Sequence, residues 1–104
     1  LGPAAKGHAL ILPKSHYADL YELPEDTAAD AMILAKKMAA RITDRLQCDG
    51  FNLMQNNGET AGQTVFHFHM HLIPRYRDDG QKIGWIPGEP SAEELEEIKN
   101  RIID

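Results

Sequence analysis

The apolar positions along the chain change period several times, and each change marks an element. The short apolar run from His8 to Leu12, closed by Pro13, reads as a strand. A turn follows, with a short helical segment expected through Tyr17 to Leu23. Pro24 suits the first turn of a helix, and Glu25 and Asp26 favour its positive end. Met32, Ala35, Met38, Ala39, Ile42 and Leu46 then recur at helical spacing, and Gly50 is the expected stop. Phe51 to Gln55 reads as a second strand, and Asn56-Asn57-Gly58 opens a loop that runs to Gln63. Thr64 to Ile73 is the clearest strand pattern in the chain, with Pro74 as its expected end. Asp79-Gly80, Pro87-Gly88 and Pro90 mark an irregular segment around Trp85, whose ring is expected to pack. Ser91 with Glu94 is a capping-box signature for a short last helix carrying Leu95, Ile98, Ile102 and Ile103. The order strand, helix, strand, strand, helix predicts an α+β domain with a mainly antiparallel sheet.

Composition narrows the function. With 104 residues there is room for one domain and one modest core. The apolar runs fall far short of the roughly 20 residues that span a bilayer, and residues 1–6 lack the pattern of a signal peptide. The net charge of -5, with no basic stripe, argues against a nucleic-acid surface. The single cysteine, Cys48, excludes an internal disulfide or a cysteine-based zinc site within these residues, and fits a reducing, cytoplasmic setting.

The informative stretch is Val65-Phe66-His67-Phe68-His69-Met70-His71-Leu72-Ile73. On a strand, Phe66, Phe68, Met70 and Leu72 would enter a core, and His67, His69 and His71 would share the other face. Three imidazoles on one face have three readings. A purely structural role would leave three groups that titrate near neutrality crowded together. A metal site could take two ligands from His-x-His, but it needs partners from elsewhere, and none announces itself. Covalent catalysis needs one imidazole with one nitrogen free and the other N–H held, and flanking imidazoles to serve the phosphate or leaving group. The central His69 has such neighbours on both sides. No Ser-based nucleophile elbow is present, so phosphoryl or nucleotidyl transfer suits the pattern better than acyl transfer. The loop Asn56–Thr64 is rich in Gly, Asn and small residues whose N–H groups could cradle an anion, though it lacks a P-loop ending. His8 and His16, singly, read as packing or surface histidines, and Lys14 as a solvated charge.

The run His67-Phe68-His69-Met70-His71-Leu72-Ile73 resembles the signature of the histidine triad (HIT) superfamily. Ala61-Gly62-Gln63-Thr64-Val65-Phe66 and Gly7-His8 through Lys14-Ser15-His16 resemble it too, so the likeness covers nearly the whole chain. It is nearest to small bacterial members by the nucleoside phosphoramidase branch. The uridylyltransferase branch carries Gln where this chain has His71. The resemblance implies a homodimer with about five antiparallel strands per domain, one long helix and a short C-terminal helix. It implies attack by His69 on the α-phosphorus of a purine nucleotide, with a nucleotidyl-histidine intermediate and no catalytic metal. Asn56, Gly62, Gln63, Thr64 and His71 would contact the phosphate, and His8 and His67 would form a relay to the nucleophile. The segment that carries the family's first strands, its acidic ribose contact and often a Cys-x-x-Cys pair is expected upstream of Leu1. With those cysteines, His16 and His67 would be the remaining ligands of a structural zinc. The alternative class is a nucleotide-binding or signalling module with vestigial activity.

Overall fold

The computed structural model describes residues 2–103. Strand β1 is Ala9–Ile11, helix α1 Glu25–Leu46, strand β2 Gly50–Met54, strand β3 Met70–Arg75 and helix α2 Ala92–Ile103, with a 3-10 turn at Glu59–Ala61 before β3. The strands form one antiparallel sheet in the order β1-β3-β2. The α+β class and the element order are those expected; the described residues hold three of the roughly five strands expected for the whole domain.

The core lies between α1 and one face of the sheet. Ile11, Leu23, Phe68, Met70 and Leu72 are buried around Ala35, with Ala28, Ala31, Met38 and Ile42 of α1 packed against them. Leu23 precedes the N-cap Pro24 and lies in the same cluster as Ala28 in the first turns, the geometry of a hydrophobic staple. Small residues on the inner face of α1 let the helix come close to the sheet, so Ala35 has no exposed surface.

Several sequence expectations are corrected. The helix stops at Gln47, not Gly50: Gln47 takes the left-handed conformation (φ 54°), and its N–H donates to the Thr43 carbonyl. Its side-chain amide also donates to the Asp44 carbonyl, so two orphan carbonyls of the last turn are satisfied without glycine. The segment from Tyr17 to Leu23 is a set of bends and turns rather than a helix.

The largest correction concerns Thr64 to Ile73, where strand begins only at Met70. Upstream, the backbone groups that a ladder needs are already engaged. The Gln63 amide donates to the Val65 carbonyl, Phe68 N–H donates to the Tyr17 carbonyl, and the His69 ring takes the His67 carbonyl. On the β1 side, pairing ends at Ile11 opposite Met70, and two residues on Pro13 has no N–H to offer. Phe66 is therefore 53 % exposed and outside the core, while Phe68 is 2 % exposed. At the other end, Pro74 does not close the strand, which runs on to Arg75. Asp49 N–H donates to the Arg75 carbonyl, so by alternation the Pro74 nitrogen faces the β1 side. There the pairing with β1 has already ended at Ala9 opposite Leu72, so the missing N–H interrupts no ladder bond. Trp85, expected to pack, is exposed.

Candidate active site

Each imidazole of the triad is oriented by a different partner, and the partners decide which nitrogen carries hydrogen. The His69 Nδ1 lies 2.8 Å from the His67 carbonyl oxygen. A carbonyl only accepts, so in the neutral ring Nδ1 is the N–H and Nε2 keeps a free lone pair. At the other pair, Ala4 N–H donates to His8 Nδ1 at 2.9 Å. His8 must then carry hydrogen on Nε2, which lies 2.9 Å from His71 Nδ1. His71 accepts there, which leaves its own Nε2–H as an outward donor. The His69 and His71 rings meet edge to face with centroids 5.0 Å apart. A nucleophilic lone pair and a neutral N–H donor thus stand side by side.

The third pair is separate. His67 Nε2 lies 3.3 Å from the Pro13 carbonyl, so its Nδ1 accepts from His16 Nδ1 at 2.9 Å. The relay expected between His8 and His67 is corrected on this point: His8 pairs with His71, and His67 pairs with His16. The backbone carbonyl of His67, rather than its ring, orients His69. The reason is register. His71 stands opposite Leu10, so His8, two residues earlier and just ahead of β1, is its diagonal neighbour on the same face. His67 precedes the strand, and its side chain turns away to the segment after Pro13.

The loop before the triad is shaped by two glycines and one glutamine. Gly58 (φ 90°) and Gly62 (φ 99°) flank the 3-10 turn in conformations that L side chains rarely adopt. A Cβ on Gly62 would also come within 3.3 Å of the Asn56 side-chain amide, so Asn56 and Gly62 lie side by side. Gln63 is only 3 % exposed. Its side-chain oxygen accepts from Gly58 N–H, and its amide donates to the carbonyls of Ala18 and Val65. The Gln63 side chain is thereby fully engaged in holding the loop. The Gln63 backbone N–H donates to the Gly58 carbonyl, so the phosphate contact expected of Gln63 is corrected to a loop-holding role, and the neighbouring Thr64 is exposed.

A second tether ran below the reach of sequence reasoning. Residues 16–20 are bound to the site segment by the His16–His67 pair, by Tyr17 C=O to Phe68 N–H, by Ala18 C=O to Gln63, and by Leu20 N–H to the Asn57 side chain. Three of the four involve backbone groups, which carry no sequence signal.

His71 has its pKa lowered, first by burial and then by the nearby imidazoles of His69 and His8. The unfolded chain therefore binds a proton at His71 more readily than the folded one. Stability from this group is present above the ordinary imidazole value of about 6.5, and is lost as pH falls through the lower folded value. Urea midpoints measured from pH 7.5 to 5 are expected to fall less steeply for His71→Gln than for the parent. Equal slopes would show that His71 is not held neutral by the fold.

A zinc site finds two ligands here and no more. Two nitrogens bound to one tetrahedral zinc stand about 3.3 Å apart for bonds of about 2.05 Å, close to the 2.9 Å between the Nδ1 atoms of His16 and His67. Among the described residues no group of three or more His, Cys, Asp or Glu could hold a metal. Cys48 hydrogen-bonds the Thr43 hydroxyl at the end of α1. The described residues therefore do not fit a closed zinc site by themselves. No described helix is long and apolar enough to cross a membrane.

Three alternating histidines after a Gly-shaped loop, on the central strand and just ahead of it, define a histidine triad domain, and the HIT domain family model matches residues 1–78. The chain belongs to the HIT family. It is 40 % identical over 103 residues to the adenosine 5′-monophosphoramidase HNT1 of Saccharomyces cerevisiae, covering 97 % of this chain and 62 % of the yeast protein. The crystal structure of a HIT family protein from Bacillus anthracis superposes with a TM-score of 0.87 at 42 % identity, over 95 % of this chain and 72 % of that one. A zinc-bound histidine triad protein from Mycobacterium smegmatis matches with a TM-score of 0.72 at 36 % identity, over 83 % and 63 % of the two chains.

Proposed function

We propose that this chain is a nucleotide hydrolase or nucleotidyl transferase acting at the α-phosphate of a purine nucleoside phosphoramidate or dinucleoside polyphosphate. One observation carries the reading: the His67 carbonyl holds the His69 Nδ1–H, leaving Nε2 as an unprotonated nucleophile. The kinship with a yeast adenosine 5′-monophosphoramidase supports the substrate class.

For a phosphoramidate the steps balance as follows. The His69 Nε2 lone pair forms the N–P bond. The bond from phosphorus to the leaving nitrogen breaks, its electron pair departing with an amine that enters already protonated. The His71 Nε2–H and the Thr64 N–H hydrogen-bond the phosphate oxygens, where charge builds in the transition state, the Gly62 and Gln63 N–H groups being engaged by the Glu59 and Gly58 carbonyls. Water then attacks phosphorus, the N–P pair returns to His69, and the water's proton passes to solvent. His8 keeps His71 in the donor tautomer. In this reading His16 and His67 would supply two of four ligands to a structural zinc, with the remaining ligands outside the described residues.

Quenching the protein during turnover of adenosine 5′-phosphoramidate is expected to trap one adenylate per chain, mapped by peptide mass spectrometry to His69. An adduct on another residue would reject the mechanism. Calorimetric binding of AMP without turnover would instead favour a binding module.

A further inference from the structure

The hydrogen bonds behind His71 do not end at His8. The group that fixes the proton on the His8 ring is the Ala4 N–H, which donates to His8 Nδ1 at 2.9 Å. Two proton orders are open to the neutral His8–His71 pair. In one, His8 Nε2–H donates to His71 Nδ1, and His71 Nε2–H points outward. In the other, His71 Nδ1–H donates to His8 Nε2, and the outward His71 nitrogen carries a lone pair that cannot bond a phosphate oxygen. The second order needs hydrogen on His8 Nδ1, where the Ala4 N–H already points. Two N–H groups would then face each other across 2.9 Å. The Ala4 peptide therefore decides whether His71 is a donor or an acceptor.

Ala4 lies in a turn outside every strand and helix, so its place is set by what holds that turn. The segment after β3 holds it. The Gln81 side-chain amide donates to the Ala4 carbonyl at 2.9 Å, and the Tyr76 hydroxyl donates to the Lys6 carbonyl at 2.9 Å. Gln81 is exposed, and a surface glutamine loses rotamer freedom when it keeps one geometry. Its backbone, however, is fixed on both sides. Arg75 Nη2 donates to the Gln81 carbonyl at 2.8 Å, and Gln81 N–H donates to Asp79 Oδ1 at 3.0 Å. Arg75 is locked in turn by both Asp79 oxygens and by the Asn52 side chain of β2. The side chains of Arg75 and Asp79 are 22 % and 10 % exposed, so little water competes for this two-pronged pair.

We propose that Gln81, held by the Arg75–Asp79 pair, is a positioning residue for His71: it anchors the Ala4 peptide, whose N–H selects the proton order of His8 and His71. The consequence for turnover rests on the reading of His71 as a phosphate donor. Gln81 touches no reacting atom and acts through three hydrogen bonds in series, to Ala4, from Ala4 to His8, and from His8 to His71.

Long-range proton–nitrogen spectra of ¹⁵N-labelled protein read the tautomers directly at about pH 8, above the ordinary imidazole value of about 6.5. The parent is expected to show hydrogen on Nε2 of both His8 and His71. Gln81→Ala is expected to bring the Nδ1–H form of His71 into view. It is also expected to lower kcat for adenosine 5′-phosphoramidate roughly 5- to 30-fold, with KM changed by less than about threefold. Gln81→Lys, whose ammonium can still donate to the Ala4 carbonyl, is expected to keep the parent tautomers and most of the rate. In a His8→Gln background, Gln81→Ala is expected to cause no further loss, because the ring it orients is gone. Unaltered His8 and His71 tautomers in Gln81→Ala would overturn the inference, as would a full second loss in the double variant. A Gln81-dependent tautomer in a protein whose turnover is unchanged by His71→Gln would uphold the clamp and reject the donor role, so the two readings fail separately.

Discussion

His69→Ala is expected to lower kcat for adenosine 5′-phosphoramidate by roughly 10³- to 10⁶-fold, with a much smaller change in KM. In the proposed mechanism the substitution deletes the atom that forms the covalent bond, while the Thr64 N–H and the His71 donor would remain to bind phosphate. His8→Gln and His71→Gln are expected to lose less, about 10²- to 10⁴-fold, because they remove a hydrogen-bond donor or its orientation rather than the nucleophile. AMP release under saturating substrate separates the two classes. A loss below tenfold in His69→Ala would place the nucleophile elsewhere.

Phe68→Ala is expected to destabilise the domain by about 3–5 kcal/mol, and Phe66→Ala by no more than about 0.5 kcal/mol. The two residues are chemically alike and two positions apart, but Phe68 is 2 % exposed in the cluster with Ile11, Ala35 and Leu72, whereas Phe66 is 53 % exposed. Small domains hold only about 5–15 kcal/mol in all, so Phe68→Ala takes much of the fold with it. Phe68 also lies between His67 and His69, and its N–H is bonded to the Tyr17 carbonyl. Loss of its packing is therefore expected to lower activity as well, and Phe68→Leu to restore much of both. Urea midpoints decide the matter. Equal losses for the two alanine variants would mean that residues 64–69 form an extended strand after all.

That contrast also shows where legibility ended. Alternation in Phe66–Leu72 put four apolar residues in a core, and three are there: Phe68, Met70 and Leu72. The fourth escaped because a strand pattern persists in the residues after the ladder has stopped. Pro13 on the neighbouring strand, the Gln63 side chain and the Tyr17 carbonyl remove the pairing, and none of these leaves a mark in residues 64–69 themselves. The end of α1 was misplaced for a related reason. Gly50 is the residue that usually stops a helix, but Gln47 reached the left-handed conformation with its own side chain as compensation.

For the site, the residue types were legible and the pairings were not. Strand alternation and the number of imidazoles already singled out His67, His69 and His71 for chemistry, with His69 central, and the Gly- and Asn-rich loop pointed to an anion. Which histidine faces which depends on the offset between β1 and β3, set by Ala9 opposite Leu72. A slip of one residue would move His8 to the other face of the sheet. The tautomers depend on the Ala4 N–H and the carbonyls of Pro13 and His67. These are backbone groups that every residue possesses, so no sequence can advertise them.

The sequence by itself determined the element order, most of the inner face of α1 (though Met32 of its apolar repeat is exposed), the family and the run of three histidines with His69 at its centre, because side-chain type and period are local properties. Only the tertiary structure decided that His8 serves His71, that a carbonyl rather than a ring prepares His69, and that Gln81 comes to hold the Ala4 carbonyl. Each of those outcomes depends on where a distant backbone group comes to lie, and that is fixed by packing the whole chain.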